Sequence, residues 1–271
     1  LGGVGRIIGV LAGGLLYDKM GTQFAGWGFY NGSLFWISGI AMFISVFPMF
    51  LVPEGGTMVQ GQKNALEDHA PGLDKQAFII FILAMGCIHF GRNSVAVTLP
   101  QFLSLPSGLN LSALTLSHVV NIRSLGLVFT GLFAGFLCRK LGDRPMLTAS
   151  SALAVVALCL IGLSTSFFNI CASSFLMGFS EVIIIAASYE LASFYIPADQ
   201  RGKLFAVFNA TLFLSWGMAG TLIAGPVVDS LIGLGKSQTF AYQVSFLASA
   251  GITFTGVLIL VYLFRREKGS G

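Results

Sequence analysis

Long stretches of this chain carry no charge at all. Residues 20–53, 145–180, 204–228 and 237–264 contain no Asp, Glu, Lys or Arg. A hydrocarbon core about 30 Å thick is crossed by roughly 20 apolar helical residues, so each stretch is long enough to span a bilayer. Of 271 residues, 55% are hydrophobic and 10% charged, whereas a soluble domain has about a quarter charged. Such a chain cannot clothe itself in water-facing charge. It reads as an integral membrane protein, with the lipid bilayer as its first partner.

Outer-membrane strands alternate apolar and polar residues. The run 151–163 is apolar on every face instead. The expected fold is therefore all-α, a polytopic helical bundle whose backbone polar groups are satisfied within each helix. Cutting at charges, prolines and polar clusters predicts eight segments: 1–17, 23–52, 76–103, 112–138, 145–164, 167–195, 204–230 and 239–264. Connections are short except for a polar linker between 53 and 75, which holds Gly55, Gly56, Gly61, Pro71 and Gly72. The chain starts at Leu1 inside an apolar segment without the features of a signal peptide, so an N-terminally truncated bundle is expected.

Basic loops favour the cytoplasm. One side of the predicted bundle holds Lys63, Lys75, Arg139, Lys140, Arg144, Arg201, Lys203, Arg265, Arg266 and Lys268; the other holds Lys19 and Lys236. The linker and the C-terminus are thus expected on the cytoplasmic side, with a plasma (inner) membrane location. The net charge of +4 comes from these loops and implies no nucleic-acid partner. Cys87, Cys138, Cys159 and Cys171 sit in or beside apolar runs without ligand spacing and read as packing residues. No H-E-x-x-H or G-x-S-x-G pattern is present, so neither a catalytic set nor a metal site is expected.

Gly9, Gly14 and Asp18 follow the spacing G-x4-G-x3-D, and so do Gly220, Gly225 and Asp229. A parallel internal repeat of this kind is one architecture of secondary transporters. Three further signatures point the same way. The segment Gly135-Phe-Leu-Cys-Arg139-Lys140-Leu-Gly142-Asp143-Arg144 is similar to the loop motif G-x-L-x-D-R-x-G-R-R. The turn Pro197-Ala-Asp-Gln-Arg201-Gly202 matches P-x-x-x-R-G, and Gly5, Gly9, Gly13 and Gly14 match the glycines of G-x-x-x-G-P-x-x-G-G, with Val10 at the proline.

On these residues the chain resembles the major facilitator superfamily, in particular its drug:proton antiporters. The resemblance implies helices five to twelve of a twelve-helix fold: residues 1–53 as the last two helices of an N-terminal bundle, 54–75 as the central cytoplasmic loop and 76–271 as the C-terminal six-helix bundle. It also implies a cytoplasmic gate at Glu190, Arg139, Lys140, Gly135, Gly142, Arg144 and Arg201, in which the acid pairs with the loop motif's basic residues. Gly5, Gly9, Gly13 and Gly14 would form a helix-packing face.

Charges at mid-membrane are expensive and usually line cavities or pair. At 1.5 Å per residue, Arg92 and Arg123 each lie about 22 Å from the basic end of their helices, Glu181 about 20 Å, and Arg6 about 18 Å from the Asp18 end of its own. His89, Arg92 and Asn93 share one helix face, and His118 and Asn121 repeat the spacing. The expected substrate or proton site therefore comprises Glu181, Arg92, Arg123, His89, Asn93, Asn121 and Arg6, with Glu181 as proton carrier. Trp216 lies deep enough to pack in the core or to line a pocket.

The expected activity is alternating-access transport of a small organic solute, by proton-coupled export. A carrier of anionic metabolites is the alternative raised by Arg92 and Arg123, and a non-transporting sensor on the same fold is a third reading. No cofactor is expected beyond a proton or other ion gradient, and the full-length protein is expected to be a monomer.

Overall fold

The structure is a computed structural model that describes residues 2–15, 34–51, 75–164 and 166–269. Every regular element among them is helical. Two helices precede the main bundle: α1 (Gly2–Leu15) and α2 (Leu34–Val46), the latter running into a 3-10 turn at Phe47–Leu51. The bundle comprises α3 (Lys75–Asn93), α4 (Val95–Ser104), α5 (Ala113–Gly131), α6 (Ala134–Leu141), α7 (Asp143–Leu163), α8 (Phe167–Tyr195), α9 (Arg201–Ala219), α10 (Gly225–Gly233) and α11 (Gln238–Gly269). Six spans are long and apolar enough to cross a membrane: 75–104, 113–131, 143–163, 167–195, 201–233 and 238–269. α1 is apolar but shorter, and the linker between 53 and 75 lies almost wholly outside the described residues.

The spans alternate in direction, and side chains tie their ends. At the end rich in Lys and Arg, Arg266 donates to Gln76 at 2.8 Å, Tyr195 donates to Glu267 at 2.8 Å, and Arg144 pairs with Glu267 at 2.8 Å. At the far end Tyr242 donates to Gln101 at 3.2 Å, and Ser107 meets Thr239 at 3.2 Å. Ser112 caps α5 by accepting from the Thr115 amide, which satisfies one of the free amides at a helix start.

Two spans are interrupted in their α-helical run, and each carries a proline close after the interruption. Pro100 lies inside α4 and has no N–H for the carbonyl of Ala96. In the fifth span Pro226 follows a π-turn at Gly220–Ala224, where the Gly225 amide reaches back to the Gly220 carbonyl. That i→i+5 step absorbs the hydrogen bond that the proline breaks. The second copy of the glycine repeat, Gly220 to Asp229, therefore begins with a π-turn in the helix.

The outer surface of the bundle is apolar, and the interior holds polar and charged side chains beside its apolar core. Ile79, Leu83, Leu125, Phe129, Val156, Leu160, Leu214 and Leu258 stand exposed around the bundle, while His89, Arg92, Asn93, Glu181 and many serines are buried. An exposed apolar surface of this extent is covered by lipid. Inside, small residues let backbones touch. A side chain on Gly178 would overlap the carbonyl of Arg123, and one on Gly126 the carbonyl of Phe175. α5 and α8 thus cross at contact distance, as small residues permit in lipid.

Candidate functional site

The close crossing of α5 and α8 builds the site. Arg123 lies one helical turn from Gly126, and Glu181 one turn from Gly178. The two charged residues therefore emerge beside the point where their backbones meet. Arg123 donates to Oε2 of Glu181 from Nε at 3.1 Å and from Nη2 at 2.8 Å. Arg92, at the end of α3, brings Nη1 to 3.6 Å from the same oxygen. The side chain of Arg92 is 0% exposed and that of Glu181 3%.

A cavity of about 280 Å³ opens against this cluster, lined by Arg6, Asn93, Ala96, Arg123, Glu181 and Trp216. Five helices contribute: α1, α3, α4, α5 and α8, with α9 supplying Trp216 as a sixth wall. Asn93 is held from both sides. It accepts from Arg92 at 3.4 Å and donates to the hydroxyl of Ser215 at 2.8 Å. Three guanidiniums and one carboxylate at this level leave a formal surplus of two positive charges. Nε and Nη1 of Arg92 have no hydrogen-bond partner among the described residues.

The predicted site residues divide into three groups. Arg6, Asn93, Arg123 and Glu181 line the cavity. Arg92 stands behind Glu181 and holds it without reaching the cavity wall. His89 and Asn121 do not line it. His89 is buried with Nδ1 unpartnered among the described residues, and Asn121 donates to the Ile7 carbonyl at 3.4 Å, which ties α5 to α1. Ser215 and Ala96 belong to the site and carry no sequence signal, since a serine or an alanine in an apolar helix is unremarkable. Trp216 lies on the cavity and remains half-exposed.

The ion pair expected between Glu190 and Arg139 or Lys140 is not formed among the described residues. Lys140 lies over the Phe136 ring, 5.8 Å from its centroid. Glu190 instead lines a groove of about 460 Å³ with Gly142, Asp143, Arg144 and Phe194. The charged clamp at this end joins α7 to α11: Arg144 binds Glu267 and lies between the rings of Phe194 and Phe264, 5.8 and 5.6 Å from their centroids. Gly142 has a definite role as the turn between α6 and α7, at a φ of +86° that favours glycine. Arg201 opens α9 and is exposed, and Gly135 meets nothing within 4 Å.

The glycine face of α1 also differs from expectation. A Cβ on Gly5, Gly9 or Gly13 would meet nothing within 4 Å, whereas one on Gly14 would lie 2.7 Å from Ser117 of α5. The close approach of α1 is therefore at Gly14. At the other three no described neighbour approaches closely enough to require glycine.

Antiparallel membrane-length helices around a charge-lined hollow at mid-depth define a polytopic bundle of the carrier type. Residues 81–271 match the model of the Major Facilitator Superfamily. The chain belongs to that family of secondary transporters, as the loop motif and the P-x-x-x-R-G turn imply. It is 27% identical over 194 residues to High affinity nitrate transporter 2.7 of Arabidopsis thaliana. That match takes in 69% of this chain, which spans 37% of the relative's length. No solved structure matches the chain.

Proposed function

We propose that the protein is a secondary transporter that carries a small anion through the cavity at Arg123. One observation supports this reading above the others: Arg123 pairs with Glu181 on the wall of a hollow of about 280 Å³ that Arg6 also lines, while Arg92 backs the same carboxylate at 3.6 Å. A surplus of positive charge in a low-dielectric site attracts an anion and repels a lipophilic cation. The hollow has room for roughly nine water volumes at about 30 Å³ each. That suits a small oxoanion with part of its hydration shell, and the nitrate transporter among the relatives fits the same chemistry.

Glu181 serves in this reading as a resident counter-ion. It occupies the Nε and Nη2 donors of Arg123, the bidentate face that a planar oxoanion would use. An arriving anion takes over those donors while Glu181 keeps Arg92. Departure restores the pair. Arg6 lines the same cavity from the segment 1–53, so the swap changes the charge that faces the opposing bundle of an alternating-access carrier. Coupling to a proton or another ion, and export as the direction, remain compatible with this swap. The charge count favours an anion over the drug-like solute that the glycine motif suggests.

The same reading gives the protein its orientation. Among the described residues, Lys75, Arg139, Lys140, Arg144, Arg201, Lys203, Arg265, Arg266 and Lys268 lie at one end and Lys236 at the other. The basic end faces the cytoplasm, and a plasma-membrane location fits. Residues 76–271 act as one six-helix half, 1–53 belong to the opposing half, and 54–75 link them. Flux through proteoliposomes tests the proposal. Nitrate uptake that Arg123→Gln abolishes is expected, and transport of a lipophilic cation without any anion flux would overturn it.

A further inference from the structure

A second hollow lies at the basic end and shares no lining residue with the charged cavity. α7 contributes Arg144, Pro145, Thr148, Ala149 and Ala152; α11 contributes Val261, Phe264, Arg265 and Lys268; the volume is about 520 Å³. The spacing explains the shape. Residues 145, 149 and 152 fall on one face of α7, and 261, 265 and 268 on one face of α11. Alanine on the α7 face leaves a trough where a larger residue would have filled the seam.

The floor of this trough is apolar, and its mouth is basic. Pro145, Ala149 and Ala152 are exposed on its walls, and Arg265 and Lys268 are exposed at its end. The lining includes no acid. Arg144 at the inner edge is engaged by Glu267, so it supplies field but not a free fork. Neither Arg265 nor Lys268 is in an ion pair among the described residues. An apolar trough along a membrane helix pair, ending in two unopposed cations at the bilayer surface, has the two-part chemistry of a lipid: a chain below and a negative headgroup above.

We infer that the α7–α11 groove binds an anionic phospholipid, with an acyl chain along Ala149, Ala152 and Val261 and the phosphate held by Arg265 and Lys268. Anionic lipids are concentrated in the cytoplasmic leaflet, the one that the basic end faces in the orientation proposed above. Occupancy holds α7 and α11 together beside the Arg144–Glu267 clamp. The lipid site is independent of what the central cavity carries.

The test is native mass spectrometry of the detergent-purified protein titrated with phosphatidylglycerol, phosphatidylcholine and inorganic phosphate, with thermal unfolding in parallel. Phosphatidylglycerol is expected to form a retained one-to-one adduct and to raise the unfolding temperature. Phosphatidylcholine and free phosphate are expected to do neither. The double variant Arg265→Gln, Lys268→Gln should weaken phosphatidylglycerol binding about twenty-five-fold, at roughly fivefold per surface cation. Ala149→Phe, which fills the trough and leaves the cations in place, should also remove the adduct. Equal retention of phosphatidylcholine, binding of free phosphate alone, or an adduct indifferent to both variants would overturn the inference.

Discussion

Two Arg–Glu pairs of equal length hold this bundle together, and their surroundings make them different devices. Arg123–Glu181 and Arg144–Glu267 each measure 2.8 Å. Around the first, the carboxylate is 3% exposed and a second guanidinium, that of Arg92, stands 3.6 Å away. Around the second, the arginine is 37% exposed, Glu267 also accepts from Tyr195, and two aromatic rings flank the guanidinium. The inner cluster is rich in positive charge and faces a hollow. The outer one is balanced and faces the membrane surface. A buried pair with excess charge is suited to exchange a partner, whereas a wet, balanced pair is suited to fasten helices.

Removing Glu181 tests this contrast most severely. Glu181→Ala strands Arg92 and Arg123 in a low-dielectric interior, and loss of one partner of a buried pair costs about 3–5 kcal/mol. A large fall in the thermal unfolding temperature in detergent is expected. Added nitrate should restore part of the loss, because the anion takes the vacated place, and it should stabilise the variant more than the parent protein. A variant indifferent to nitrate would break the comparison. Gly178→Ala attacks the same pair through the backbone: the new methyl overlaps the Arg123 carbonyl, and overpacking costs about 1–3 kcal/mol. Nitrate titration followed by Trp216 fluorescence should show weakened binding, since α5 and α8 must separate.

A smaller effect is expected at the tie between α3 and α9. Asn93→Ala or Ser215→Ala removes the 2.8 Å hydrogen bond at a cost of about 1 kcal/mol. The single variants and the double variant should lose similar stability if the two residues act as a pair, and a double-mutant cycle by thermal unfolding checks this.

The depth of the charged residues was legible from the chain alone. Counting 1.5 Å per residue puts Arg92, Arg123 and Glu181 on one level, and the structure joins them. Their partners at the basic end were not legible, for a reason found in α11. Charges at Arg265 and Arg266 suggest a helix that ends at 264, yet α11 continues to Gly269. At the membrane surface long charged side chains reach water while their stems stay on the helix, so charge does not end the span there. The extra turn carries Glu267 into reach of Arg144 and Tyr195, whereas the family resemblance implies Glu190 as the acid at this end. Glycine was ambiguous in the same way. Gly5, Gly9 and Gly13 form a regular stripe at which a Cβ would meet nothing within 4 Å, while Gly126 and Gly178, in no motif, sit where two helix backbones approach closely.

The outer clamp supplies the smallest and most selective test. An exposed ion pair contributes about 0–1 kcal/mol, so Arg144→Gln or Glu267→Gln should lower the unfolding temperature only slightly. Salt separates the two clusters. With a screening length of about 10 Å at 0.1 M, moving from low to high ionic strength should erase the difference between Arg144→Gln and the parent protein. The deficit of Glu181→Ala should persist, because buried charges are screened much less than exposed ones. Unfolding curves of the two variants across an ionic-strength series decide the matter: a clamp variant whose deficit survives high salt would mean that Arg144 acts through its packing between Phe194 and Phe264 and not through its charge.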